Sequence, residues 1–275
     1  MTGATDLTEL VDAIRKAPAY RRIEPGLVAR LAGAELSKGR TFKEAVKAVR
    51  GKLHQVAGAY LADGLELDAW AAELALLSHD RHDPALRAWC QSKMSQHAST
   101  RERLPTLAEF YAQTLAGLGA LHSILDLGCG LNPLALPWMN LAPDAAYYGC
   151  DLYGDLAGFG DAFRQHLGLG GAVVTSDLTT AIPNQPVQLA LALKLIPCLE
   201  QLDKTIGSRL LTGVNTEHLL VSFPARSLGG RAKGMGRTYE SHFLELTAGQ
   251  DWQVQRFAFP NELAFLLSRP RMEPA

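Results

Sequence analysis

At 275 residues, with 47% hydrophobic and 20% charged residues, the chain has room for one large or two modest domains and an ample core, which excludes a disordered or fibrous protein. No apolar run reaches the roughly 18 residues of a membrane span, and the N-terminus lacks a basic-then-apolar signal. The net charge of −1 hides a basic block, since residues 15–52 hold 11 Lys or Arg against 3 Asp or Glu; such a block suits a polyanion or a solvated helix face.

Leu7, Leu10, Val11 and Ile14 have the spacing of an amphipathic first helix. Pro25 opens a second through Leu27, Val28, Leu31 and Ala32, and Lys38-Gly39-Arg40 ends it. Thr41 with Glu44 is a capping-box pattern for a third helix. Its apolar face runs Phe42, Ala45, Val46, Val49, Leu53, Val56 and Tyr60, and Lys43, Lys47, Arg50 and Lys52 fall largely opposite. A fourth helix over 66–78 and a fifth from Pro84 complete an all-helical N-terminal domain, residues 1–105. Its basic stripe makes RNA the favoured partner. Residues 96–105, a polar stretch with Arg101 and Arg103, read as a loop or short helix placed to close over a cofactor. A helix over 106–118 leads into the second domain, residues 106–275.

There the pattern changes to alternating strands and helices, which implies a mostly parallel sheet. The first strand, Ile124–Leu127, runs straight into Gly128-Cys129-Gly130. Glycine there lets backbone turn sharply and approach a ligand. A second strand over 146–150 ends in Asp151, placed to accept hydrogen bonds from both hydroxyls of a ribose. The third glycine of a dinucleotide fingerprint is replaced by Pro133, which disfavours NAD or FAD. The D-x-G-x-G form with a later acid instead resembles the S-adenosylmethionine (SAM) site of class I methyltransferases. Strands follow at 172–175, 187–193 and 218–223, a helix at 155–167 and another through Leu199–Leu211, and a late β pair at 252–259 and 263–267. The expected fold is therefore α/β: a Rossmann-like seven-stranded class I methyltransferase sheet with an all-helical N-terminal domain.

Several residues at strand ends carry candidate chemistry. Asp177 ends the third strand, where its carboxylate either accepts the adenine amino group or caps a helix. The fourth strand ends Leu193-Lys194-Leu195-Ile196-Pro197-Cys198-Leu199-Glu200. No (Asn/Asp)-Pro-Pro-Tyr run of adenine amino methyltransferases is present. Pro197-Cys198 resembles the nucleophilic pair of cytosine carbon-5 enzymes, although a small packed thiol explains it as well. Lys194 and Glu200 are the better candidates for orienting a base. After the fifth strand, residues 222–237 are rich in glycine and include Arg226, Arg231, Lys233 and Met235, suited to phosphate contacts and an apolar wedge beside a base. The four cysteines (Cys90, Cys129, Cys150, Cys198) form no C-x-x-C pair, as in a reduced, cytoplasmic protein without a structural metal.

Four stretches together, H-A-S-T-R-E-R-L-P, I-L-D-L-G-C-G-L-N-P, L-K-L-I-P-C-L-E and S-F-P-A-R-S-L-G-G-R-A-K-G-M, look like the aminoglycoside-resistance 16S rRNA (guanine-N7) methyltransferases. The similarity covers most of the chain and is weakest in residues 1–40. It implies methylation of N7 of guanine 1405 in the decoding site of the small (30S) ribosomal subunit, by a monomer without metal or membrane attachment. It implies SAM contacts at Tyr60, His97, Ala98, Ser99, Arg103, Gly128, Asp151, Asp177, Leu178 and Leu193, with one more at Gln201 or Leu202. Lys194, Glu200, Arg226, Arg231, Lys233 and Met235 match positions tied to the target nucleotide or rRNA. Guanine N7 has a lone pair and no proton, so attack on a methyl needs no general base, and alignment is the main catalytic device. The base is expected to leave its stack to reach the methyl. Two rivals are a small-metabolite methyltransferase, whose activity would be nearly insensitive to salt, and a non-catalytic SAM- or RNA-binding protein.

Overall fold

The computed structural model describes residues 2–56, 65–225 and 235–270, with 2–5 and 235–237 by backbone alone. Among the described residues seven α-helices come first: α1 (Thr2–Arg15), α2 (Pro25–Ser37), α3 (Phe42–Val56), α4 (Leu67–Leu74), α5 (Pro84–Met94), α6 (Ala98–Arg103) and α7 (Leu107–Thr114). Thr41 and Glu44 form the capping box, with the Thr41 amide donating to Glu44 Oε2 at 3.0 Å and the Glu44 amide to Thr41 Oγ1 at 3.5 Å. Ala45, Val49, Leu53 and Val56 are buried on one face of α3. Phe42, expected on that face, is instead 44% exposed. Residues 96–105 become α6 and a 3-10 turn at Leu104–Thr106.

The basic block is partly consumed by one buried acid. Glu35 on α2 has a side chain 1% exposed. It pairs with Lys38 at 2.7 Å, Arg40 at 2.6 Å and Lys52 at 3.0 Å. Lys16, Arg21, Arg22, Lys43 and Lys47 remain on the surface. The hydrogen bond from Lys38, with Lys52 adding to it against the cost of burial, holds the Glu35 carboxyl down at about 2. A depressed carboxylate pKa contributes stability that is fully present above the ordinary value of 4.5 and is lost as pH falls toward about 2. Glu35→Gln is therefore expected to destabilise the fold by about 2–3 kcal/mol at pH 7, discounted for the half-exposed partners. Urea titrations should show that gap closing as pH falls below 4.5.

The sheet consists of β1 (Leu121–Leu127), β2 (Leu141–Asp151), β3 (Gly170–Thr175), β4 (Val187–Leu193), β5 (Thr216–Pro224), β6 (Gln253–Ala258) and β7 (Glu262–Ser268). Their order is β3-β2-β1-β4-β5-β7-β6; the first five run parallel, and β7 alone runs antiparallel, between β5 and β6. The further described helices α8 (Gly154–His166), α9 (Ile196–Leu199), α10 (Ile206–Gly213) and α11 (Met235–Thr247) cover it. β4 is apolar on both faces, as a central parallel strand must be. Leu189, Leu191 and Leu193 point to one core and Ala190 and Ala192 to the other. The first core also holds Leu10, Leu27, Val49 and Leu86, so the early helices pack against one face of the sheet. The second holds Phe243 of α11 and Leu210 of α10.

The expected single helix through Leu199–Leu211 is two, because Asp203 Oδ1 accepts from the Thr205 amide at 2.9 Å and from its hydroxyl at 2.8 Å, making a turn. Backbone stitching joins the early helices to the loop after β2. The Glu24 amide donates to Leu152 O, and the Gly154 amide to Arg22 O, each at 2.8 Å, and Ile23 forms an antiparallel bridge with Tyr153. No helix among the described residues is long and apolar enough to cross a membrane.

Candidate active site

The bend after β1 is built on two left-handed glycines, Gly128 at φ +63° and Gly130 at φ +50°. A Cβ on Gly128 would lie 2.5 Å from Leu195 Cδ1, and one on Gly130 would lie 3.1 Å from His97 Nε2. Any side chain at either position is therefore both strained and obstructed. The bend is tied to the end of β2: the Cys129 amide donates to Cys150 O at 2.9 Å, and the Gly130 amide to Asp151 Oδ2 at 2.8 Å. Asp151 Oδ1 accepts from the Tyr153 amide at 2.9 Å. Burial pushes the Asp151 carboxyl above its ordinary value, and these amide bonds oppose that rise.

After the bend the chain forms a 3-10 turn, Asn132–Trp138, with Pro133 and Pro137 inside it. A dinucleotide fold would start an α-helix there and aim its amides at a pyrophosphate; two prolines lack the needed N–H groups.

A cleft lies along the carboxyl ends of the parallel strands, where open α/β sheets bind ligands. His97, Ser99 and Arg103 of the α6 region form one wall, and Gly128, Asp151, Leu178, Leu193 and Lys194 line the strand side. Cys198 and Leu199 of α9 line it as well. His97 sits across the glycine bend, and burial, together with the nearby Lys194, Arg103 and Arg101 charges, lowers its imidazole to about 4. At neutral pH it is an uncharged ring.

Beneath the cleft runs a buried polar network. Arg103, 1% exposed, donates from Nε to Glu262 Oε2 at 2.9 Å and from Nη2 to Glu262 Oε1 at 2.6 Å. Its Nη1 donates to Asn132 Oδ1 at 3.0 Å. Asn132 Nδ2 and the Tyr147 hydroxyl each donate to Asp126 Oδ2 at 2.7 Å. Burial pushes the Asp126 carboxyl up to about 6, against those two hydrogen bonds.

Lys194 adopts φ +56°, the left-handed region. Its amide donates to Ser222 O at 2.9 Å. Its Nζ donates to Glu102 Oε2 at 2.7 Å and to Ser99 O at 3.3 Å, and lies 3.7 Å from Glu262 Oε2. It thus fastens the end of β4 to α6.

A family model described as ribosomal RNA methyltransferase (FmrO) matches residues 16–266. The chain belongs to the FmrO family of ribosomal RNA methyltransferases. A relative from Micromonospora echinospora named 16S rRNA (guanine(1405)-N(7))-methyltransferase is 35% identical over 265 residues, 96% of this chain and 97% of its own. One of the same name from Serratia marcescens is 33% identical over 239 residues, 86% of this chain and 88% of its own. The crystal structure of 16S rRNA methyltransferase RmtF with S-adenosyl-L-homocysteine superposes with a TM-score of 0.81 at 31% identity, over 96% of this chain and 98% of that one. That of RmtB gives 0.76 at 27% identity.

Within this rRNA methyltransferase, His97, Ser99, Arg103, Gly128, Asp151, Leu178, Leu193 and Lys194 meet at one cleft. Ala98 is buried beside it. Asp177 is buried too, but its side chain faces the turn: Oδ1 accepts from the Thr179 amide at 2.9 Å and hydroxyl at 2.7 Å, and Oδ2 pairs with Arg30 of α2. Gln201 is exposed, with its amide on Pro197 O at 3.3 Å. Glu200 pairs with His242. Met235 is the first residue of α11. Tyr60, Arg226, Arg231 and Lys233 lie outside the described residues. Asp126, Asn132, Tyr153, Leu156 and Leu195 also line the cleft and were not singled out from the sequence. Asp126 opens the D-x-G-x-G run itself, so its place in that motif was the available signal. The cysteines are all free thiols.

Proposed function

We propose that the chain transfers a methyl group from SAM to N7 of guanine 1405 in 16S rRNA, working as a cytoplasmic monomer on the 30S subunit. The observation that carries this reading is one cleft lined by Asp151, the glycine bend, Lys194, Cys198 and Leu199 together. The residues present fit SAM. Asp151 accepts one backbone amide at each oxygen, Gly130 of the bend at Oδ2 and Tyr153 of the following loop at Oδ1, which leaves lone pairs for two ribose hydroxyls. Leu156, Leu178 and Leu193 offer apolar walls to an adenine ring. Bound there, SAM supplies an electrophilic methyl on a sulfonium.

The protein's own task is then alignment. Gly128 and Gly130 hold the bend open, and Asp151 fixes the sugar. Lys194 and Glu200 hold the guanine edge, and exposed cations such as Lys43 and Lys47 grip phosphate. N7 loses no proton, so no base is required, and well-oriented reactants account for roughly 7–11 kcal/mol of barrier lowering. The product base carries a methyl and a positive charge, which oppose a polycationic aminoglycoside through steric overlap and repulsion.

The test is labelled-methyl transfer to purified 30S subunits, followed by chemical cleavage at 7-methylguanine. Label at any other position, or none, overturns the reading. Cys198 bears on the chemistry. Its Sγ lies 3.3 Å from Lys194 O, as a packed thiol would. Cys198→Ala is expected to keep turnover within a few-fold of wild type, and a dead variant would point to a covalent cysteine route instead.

A further inference from the structure

Glu200 is the C-cap residue of α9 and directly follows the cleft residues Cys198 and Leu199. Its side chain is 13% exposed, and two other helices shape its surroundings. His242 of α11 places Nε2 2.7 Å from Glu200 Oε1. Against a carboxylate that nitrogen donates its hydrogen. From α10, Gly207 presents bare backbone: a Cβ there would lie 3.0 Å from the same Oε1 and 2.9 Å from Leu246 Cδ1. Oε1 is thus held on two sides, while Oε2 makes no hydrogen bond among the described residues. Tyr239, one turn before His242, stacks on Phe223 at 5.3 Å and fixes α11 against the end of β5.

We propose that His242 is a positioning residue: with Gly207 it seats the Glu200 carboxylate so that Oε2 faces the Watson–Crick edge of the target guanine. This rests on the reading that Glu200 meets the target base. The chemistry favours a fixed carboxylate there. Guanine presents N1–H and N2–H donors on that edge, whereas adenine has an acceptor at N1. A carboxylate that accepts from both donors selects guanine and grips it on the side away from N7. A Glu200 side chain free to rotate would still bind, but would not aim N7. A single side-chain hydrogen bond from a histidine 37% exposed adds little to stability, so the effect of losing His242 belongs in turnover rather than in folding.

The experiment compares His242→Ala, His242→Gln and Glu200→Gln, with SAM affinity by calorimetry, melting temperature, and kcat and KM on 30S subunits. His242→Ala is expected to lower kcat roughly 10–100-fold, leaving SAM affinity and melting temperature unchanged. His242→Gln, whose amide N–H can reach Oε1, should recover most of that loss. A wild-type kcat in His242→Ala overturns the proposal, and so does a His242→Gln variant as slow as His242→Ala. The underlying reading fails separately: Glu200→Gln at wild-type kcat removes Glu200 from the base. A slow Glu200→Gln beside a fast His242→Ala removes only His242.

Discussion

Asp151→Ala is expected to reduce SAM affinity by two to four orders of magnitude and to abolish methyl transfer with it. The carboxylate is placed to accept from two ribose hydroxyls, and each charge-assisted hydrogen bond is worth about 1.5–3 kcal/mol. The substitution also removes the acceptor of the Gly130 amide, 2.8 Å away, and of the Tyr153 amide, 2.9 Å away. The glycine bend and the loop that meets Arg22 and Glu24 lose their common anchor. Asp151→Asn separates the two contributions. Its one carbonyl oxygen can still accept from a backbone amide, but it lacks the charge and the second acceptor. The Asn variant should therefore fold more like wild type and still lose roughly tenfold or more in affinity. Calorimetry with SAM and with S-adenosylhomocysteine measures both. An Ala variant that binds with wild-type affinity would remove residue 151 from the cofactor and the central assignment with it.

The parts of this site readable from sequence are those encoded by neighbouring residues. The bend is legible because Gly128 and Gly130 follow an apolar strand directly, and both adopt the positive φ that only glycine takes cheaply. The parallel strands are legible because β1 and β4 are apolar on both faces. Asp151 is legible because it ends the adjacent strand. The parts that stayed hidden depend on residues far apart in the chain. Glu262 meets Arg103 across 159 positions, and Arg30 meets Asp177 across 147. That second contact alters the two readings of Asp177, since its carboxylate serves the turn at Thr179 and the α2 arginine. The basic block reads as one patch in sequence, yet Lys38, Arg40 and Lys52 converge on Glu35. α11 was missed because the Gly-rich run before it reads as loop, and the helix is held by long-range ring packing, Phe243 on Phe265 at 4.3 Å and Tyr239 on Phe223 at 5.3 Å.

The second large effect belongs to Arg103. Arg103→Met is expected to destabilise the fold by about 3–5 kcal/mol, the range for stripping one partner from a buried ion pair. Side-chain exposure is 1% for Arg103 and 2% for Glu262. Burial raises the Glu262 carboxyl, but Arg103 and Lys194 more than compensate and hold it below its ordinary value. A carboxylate held low contributes stability above its unfolded pKa and loses it as pH falls, so removing the guanidinium costs most near neutral pH. Without it, Glu262 keeps the Ser222 hydroxyl at 2.5 Å and Lys194 Nζ at 3.7 Å, too little to replace a two-pronged partner. Arg103→Lys should recover little, because an ammonium cannot match the fork that reaches both Glu262 oxygens and Asn132. Asn132 in turn holds Asp126 beside the glycine bend, so SAM affinity should fall in parallel with stability. Arg103→Met combined with Glu262→Leu should be more stable than Arg103→Met alone, since it leaves no unpaired carboxylate buried. Denaturant titrations of the two single variants and the double variant measure that coupling. Strict additivity would mean that Arg103 acts through its packing on the Phe110 ring at 4.6 Å, and not through its charge.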